Sequence, residues 1–315
     1  MPASPKAKPS QEAIARAVNL DKLSFQTVGR PKSFWKGSIP SYVEIYQSRE
    51  LIFLLTKRDI KAKYKDSSLG LIWSFLKPLV QLGVYFFIVG QVLGAARGVP
   101  DFAIFVFIGI TVWGLFSEII SSSTVSLLAN GGLVKKIYTP REIFPLSAAA
   151  SSLFNFLVQM VILLVAVMLF APVAFTPDLL LIPLAIINLF IFSTALGLLL
   201  AAGNVFLRDT QHLVEVAITL LFWFSPILYS FTFVVNSVSE PLIRFIYLLN
   251  PITLSILGMQ KALWGAGSRE VNGVTQDWPG NLFIDLGISI ILVTLFLFVA
   301  QRIFSRLQGN FAQVL

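Results

Sequence analysis

Six stretches of this 315-residue chain, at residues 69–93, 102–120, 146–170, 179–202, 213–233 and 282–300, run almost without charge and end at charges or turn residues. A helix needs about 20 mainly apolar residues to cross the hydrocarbon of a bilayer, and each window is near that length. The windows predict an all-α integral membrane protein with six transmembrane helices. Composition agrees: 56% of the residues are hydrophobic, only 13% are charged, and the mean hydropathy is +0.80, more apolar surface than one soluble core could hide. Lys77, inside the first window, is the awkward residue. It fits if the deep crossing runs over residues 78–96 with 69–77 as an interfacial lead-in, or if the lysine snorkels to the headgroups.

Charge gives the windows a direction. With the amino terminus inside, 20 of the 24 Lys and Arg residues fall on the inner side, against Arg97, Arg244, Lys261 and Arg269 outside. The bias survives in the segment from Lys57 to Lys77 and in the loop after the second window, so the positive-inside rule places both termini in the cytoplasm. It also assigns most of the net charge of +8 to a membrane face rather than to nucleic acid. Residues 1–40 are polar, carry Pro2, Pro5, Pro9, Pro31 and Pro40, and lack a long apolar core. They are expected to be a partly disordered cytoplasmic tail, neither signal peptide nor anchor. An amphipathic interfacial helix region is expected over 41–68, the six-span domain over 69–310, and a short cytoplasmic end over 311–315.

The external segment 230–281 is too long for a turn. Within it, "LIRFIYLL" and "ITLSILGMQKALW" are apolar, each too short to cross, and separated at Asn250-Pro251. Two short re-entrant helices broken at the proline are expected, forming a lid, because irregular backbone at membrane depth must be covered by protein or line a wet cavity.

Missing groups limit the chemistry. There is no cysteine and one histidine, His212, which excludes disulfides, Cys-based zinc sites and iron–sulfur clusters. No G-x-x-x-x-G-K-[ST] phosphate loop occurs, so energy from ATP must come through a partner. The window centres also lack the paired ionisable residues of ion-coupled carriers. Glu118, Glu215 and Asp285 lie near window ends, as boundary carboxylates or in contact with a basic residue. Gln81, Gln91, Asn155, Gln159 and Asn188 are read mainly as interhelical hydrogen-bonding groups.

One inner loop, "NGGLVKKIYTPREIFPLS", carries more information. Asn130-Gly131-Gly132 stops the preceding helix, and Thr139-Pro140-Arg141-Glu142 has the form of a capping box that opens the next. Leu133, Val134, Lys135, Lys136, Ile137 and Tyr138 are left between them as a short exposed element. By spacing alone it reads equally as a docking knob and as a basic loop obeying the positive-inside rule.

Four long words then resemble the membrane (permease) subunits of bacterial ABC-2 type exporters of lipid-linked polysaccharide, O-antigen or teichoic acid. They are "LTKRDIKAKYKDSSLGLIWSFLKPL" at 55–79, "NGGLVKKIYTPREIFPLS" at 130–147, "NVFLRDTQHLVEVAITLLFWFSPILYS" at 204–230 and "LLNPIT" at 248–253, in family order. The resemblance implies an ABC-2 type exporter fold in the bacterial cytoplasmic membrane. Two copies of the chain would form the pathway, and two copies of a separate ABC ATPase, which binds ATP and Mg, would attach beneath. The chain itself would hold no cofactor and would not be an enzyme. Leu133 to Tyr138, with Pro140 and Arg141, would carry the coupling helix that meets the ATPase, and Arg208, Asp209 and His212 would be a second contact. The family often carries an arginine in the second external helix, where this chain has "GMQKALWG" at 258–265, and the tail is longer than the family's.

The cargo so implied is a polyprenyl-diphosphate-linked glycan. On a helical wheel Lys57, Arg58, Lys61 and Lys65 fall in an arc of about 100°, beside Phe53, Ile60 and Tyr64, as in an interfacial helix. Such cations favour a cargo diphosphate and ordinary anionic lipids alike, by about 1 kcal/mol per charge near the surface. Flat faces for a sliding sugar chain are offered by Trp73, Tyr85, Phe86, Trp113, Phe222, Trp223 and Tyr229, each with packing or lipid contact as the alternative. Pro226 is expected to kink the fifth span. An ABC-2 exporter of a drug or simpler lipid would use the same spans. A membrane glycosyltransferase would need clustered catalytic acids, which the sequence lacks.

Overall fold

The computed structural model describes residues 38–64, 72–97, 99–136, 139–170, 176–237, 240–264 and 276–314. The chain divides after Pro40, and residues 41–315 form the unit that carries the fold. Most of the tail, Lys65, the bend from Ser67 to Gly70, Ile137 and Tyr138 lie outside the described residues, as do the side chains of Tyr64 and Trp73.

Every regular element among the described residues is helical. Helices α1 (Ser38–Gln47) and α2 (Arg49–Tyr64) precede α3 (Ile72–Val84), which continues as a π-helical segment over Tyr85–Val92. Next come α4 (Phe102–Ala129), the short α5 (Gly131–Lys136), α6 (Ile143–Phe170), α7 (Leu181–Phe206) and α8 (Thr210–Trp223). The chain continues through α9 (Phe231–Ser237), α10 (Pro241–Leu249), α11 (Pro251–Leu263), α12 (Leu282–Leu307) and α13 (Phe311–Val314).

Among the described residues four helices are long and apolar enough to cross a membrane: Phe102–Ala129, Ile143–Phe170, Pro177–Phe206 and Leu282–Asn310. The pair α10 and α11, bent by 84° at Asn250, makes a fifth if counted as one span. The break follows from local chemistry: Asn250 Oδ1 accepts from the Ile252 amide at 3.0 Å, and Pro251 occupies the first helical position, where no amide donor is needed. Asn281 caps α12 in the same way, accepting from the Phe283 amide at 3.1 Å.

Several windows differ from the helices that form, the sixth continuing to Leu307 and the fourth to Phe206. The second continues nine residues past Ile120 to Ala129. Its polar residues do not end the helix because their hydroxyls bond back to their own backbone, Ser122 Oγ to Glu118 O and Thr124 Oγ1 to Ile120 O, both at 2.7 Å. The first is covered by α3 and the π-helical segment, whose apolar part, Leu76–Val92, is shorter than the four long helices. The expected fifth span is not one kinked helix: α8 stops at Trp223, and a non-helical turn leads to α9. Pro226 cannot donate to a continuing helix. The turn is instead tied down, because Gln260 Nε2 donates to Pro226 O at 2.8 Å and Ile227 is wholly buried.

Within the bundle α4 is central. Of its most apolar window 78% is buried, against 28% for α6 and 22% for α12, so protein surrounds α4 whereas α6 and α12 keep broad apolar faces outward. Trp264, at the end of α11, donates from Nε1 to Pro100 O at 2.8 Å and packs edge-on against Phe105, fixing the bent pair to the start of α4. At the opposite end of α4 a second apolar cluster, including Leu55, Val134, Ile143, Phe304 and Phe311, joins α2, α5, α6, α12 and α13.

Candidate functional site

The site lies where α4 ends. Asn130 terminates α4, its amide donating to Ser126 O at 3.2 Å, and opens α5, its carbonyl accepting from the Leu133 and Val134 amides at 2.9 and 3.0 Å. The side chain fixes this reversal: Nδ2 donates to Ser126 O, and Oδ1 accepts from Arg58 Nη2 of α2, both at 2.8 Å. Val134 is buried and Leu133 packs on the same apolar cluster, so α5 is anchored by one face while Lys135 and Lys136 are exposed on the other. The element begins at Gly131, two residues before the stretch isolated in the sequence.

Arg208 and Asp209, at the junction of α7 and α8, are exposed, as is His212, whose Nδ1 stands 3.7 Å from Glu215 Oε2. The structure brings the two loops together: Lys135 and Arg208 line one cavity of about 460 Å³, with Leu128, Gly131 and Gly132. Pro140 and Arg141 are half-buried beside it in sequence, and the Arg141 amide donates to Gln308 Oε1 at 3.2 Å.

Glu142, expected at the third position of a helix opened by Thr139, instead lies just before α6, which begins at Ile143. It is wholly buried, and its Oε1 accepts from Gln308 Nε2 at 3.1 Å and Gln301 Nε2 at 3.4 Å, while Gln301 also donates to Ser41 Oγ at 2.6 Å. This polar knot ties α1, the start of α6 and the end of α12 around the loop. Nearby, Tyr42 stacks on Phe298; burial pushes its phenol above the ordinary value, and the Arg302 charge pulls the other way.

On α2, Leu55 is buried and Lys57, Arg58 and Lys61 are exposed, so the basic arc faces away from the protein core. Arg58 pairs with Asp59 at 2.7 Å. The unexpected cation is Lys63, whose Nζ meets Glu118 Oε1 at 2.6 Å, the same oxygen that accepts from Asn155 Nδ2 at 2.6 Å. Glu118 is thus a carboxylate in contact with a basic residue, one of the two roles open to it from sequence.

Four aromatic candidates form one chain of contacts. Tyr85 stacks on Phe222 at 5.6 Å, Trp113 meets Phe222 edge-on at 5.6 Å, and Trp223 meets it edge-on at 5.8 Å. Trp113 and Phe222 are buried, whereas Trp223 and Phe86 are exposed. Tyr229 adjoins the group, its hydroxyl donating to Trp223 O at 3.1 Å. Such pairs gain energy beyond area burial, which makes Trp113 and Phe222 packing residues in this state.

An all-helical bundle with several apolar spans, a basic end and a cavity at that end defines a multi-pass membrane protein. Residues 50–264 match the ABC-2 type transporter family, and the chain belongs to that family. It is similar to the O-antigen export system permease protein RfbA of Myxococcus xanthus, 33% identical over 59% of this chain and 70% of that protein. It is likewise similar to an O-antigen export system permease protein RfbA of Klebsiella pneumoniae, 28% identical over 84% of this chain and 95% of that protein.

Proposed function

We propose that the chain is the transmembrane subunit of an ATP-driven exporter that moves a polyprenyl-diphosphate-linked polysaccharide or teichoic-acid precursor across the bacterial cytoplasmic membrane. The relatives' names support polysaccharide export, and near end-to-end similarity to the Klebsiella protein supports carrying that role over. Six crossings are formed by α3 with its π-helical extension, α4, α6, α7, α8 with the turn and α9, and α12. The pair α10 and α11 is re-entrant on the outer side, and both termini are cytoplasmic. Two copies pair with two ABC ATPase subunits, which bind ATP and Mg.

The observation that carries the coupling part is the meeting of α5 and the α7–α8 junction around one cavity flanked by Lys135 and Arg208. A motor bound there touches α4, the most enclosed of the four long apolar helices, and the end of α7 at once. Lys57 and Lys61 present charge to an anionic diphosphate at the inner surface. Reconstitution with the ABC ATPase subunit tests the reading. Lipid-linked glycan should stimulate ATP hydrolysis and cross the bilayer, and a drug or simple lipid should not compete. Export without any ATPase, or stimulation by a simple lipid alone, overturns it.

A further inference from the structure

Gly131 and Gly132 occupy the first turn of α5, where glycine is a poor helix former. Neither has the positive φ that would require it, and a Cβ built at either meets nothing within 4 Å. The chain's own packing therefore gives no reason for the pair. Both line the cavity of about 460 Å³, with Leu128, Lys135 and Arg208. Among the described residues no acceptor bonds the cations of Lys135, Lys136 or Arg208. The acids nearest in sequence to these walls include Asp209, beside Arg208, Glu142, which is buried and accepts from Gln301 and Gln308, and Glu118, which is held by Lys63.

A bare backbone wall, an apolar leucine and two unpaired cations suit a carboxylate on a short apolar stem. We propose that the cleft seats an acidic side chain, Asp or Glu, of the partner ATPase, held between Lys135 and Arg208 while the partner's chain lies directly against Gly131-Gly132. This rests on the ATPase reading above and names the chemistry of that contact. A protein is favoured over a lipid headgroup by position. The apolar window of α4 ends at Ile120, and eight further helical residues carry the chain about 12 Å beyond it to Leu128, the first residue of the cleft wall.

The probe is the ABC ATPase subunit that copurifies with the chain, its binding measured on the full chain in nanodiscs. The double variant Lys135→Glu/Arg208→Glu should slow association about tenfold or more at low salt, with the difference shrinking at high salt. Gly132→Leu, whose Cβ meets none of the chain's own atoms within 4 Å, should shorten the residence time about tenfold at little cost in thermal stability. Reversing one acidic surface residue of the ATPase to Lys should restore binding to the charge-reversed chain. ATPase binding that is intact in both variants and insensitive to salt overturns the inference and leaves the ATPase reading standing. Charge reversal that weakens flotation with phosphatidylglycerol vesicles but not ATPase binding also overturns it, in favour of a lipid. Failure of the unaltered chain to bind the ATPase overturns the coupling reading itself.

Discussion

Glycines inside the bundle and glycines at its basic end are used in opposite ways. A Cβ on Gly109 would stand 3.0 Å from Ile227 Cγ2 and 3.1 Å from its Cα, and one on Gly197 would stand 2.8 Å from Ser123 Cβ, whereas Gly131 and Gly132 face open space. Polar groups divide in the same way. Asn188, wholly buried, donates to Pro251 O and Ser255 Oγ at 3.0 Å each and accepts from Ser289 Oγ at 2.8 Å, while Lys135 and Arg208 stand at an open cavity. Inside, these groups are consumed by the fold. At the basic end, groups are left for something outside the chain.

The largest effect should come from closing an inner contact. Gly109→Val drives a branched side chain into the backbone of the turn after α8, which cannot swing aside as a side-chain tip could. The expected loss is about 3 kcal/mol, the upper range for overpacking, read as a lowered midpoint of thermal unfolding in detergent. A melt like that of the unaltered chain would mean the turn is not pressed on α4, and the contrast would break.

Next in size is Asn188→Leu, which removes the three bonds joining α7 to α11 and α12. Interhelical hydrogen bonds in membranes average about 0.6 kcal/mol, so the loss should be about 2 kcal/mol. Hydrogen exchange should rise in Pro251–Leu263 before it rises in α4. Uniform exchange across both helices would show that Asn188 does not hold the bent pair in particular.

The sequence made some of this visible and hid the rest for physical reasons. Asn250-Pro251 announced its break because cap and proline act on their nearest neighbours. The reversal at Asn130 was visible likewise, although Gly131 and Gly132 start α5 rather than merely ending α4. Hydropathy located the windows but not the end of α4, since serine and threonine hydroxyls can bond their own helix without marking it. Lys63 was passed over because its partner Glu118 lies 55 residues away, and Glu142 looked like a local cap although its glutamine partners are 159 and 166 residues away. At Pro226 the sequence shows only a kink, because Gln260, which takes up the freed carbonyl, belongs to another helix.

Between the two regions stands the Lys63–Glu118 pair, with side chains 46% and 30% exposed. Partly solvated pairs of this kind contribute about 1 kcal/mol or less. Lys63→Gln should therefore lower the melting midpoint only slightly, and 1 M salt should weaken the unaltered chain by no more than that, because a contact of 2.6 Å lies within the screening length of about 3 Å at that concentration. A loss as large as that of Asn188→Leu would place this pair with the enclosed groups.

The smallest expected effect on the chain is the most telling about its basic end. Gly132→Ala adds a methyl group where nothing stands within 4 Å and replaces a poor helix former with the best one. Its effect on thermal stability should be nil or a gain of up to about 0.5 kcal/mol, tempered because the first turn of a helix benefits less than its middle. The same methyl group narrows the wall of the cavity that Lys135 and Arg208 share. An equal or raised melting midpoint with weakened ATPase binding would separate folding from docking at one atom. If the midpoint falls instead, Gly132 belongs with Gly109 and Gly197, and the basic end is as fully used by the chain's own fold as the interior is.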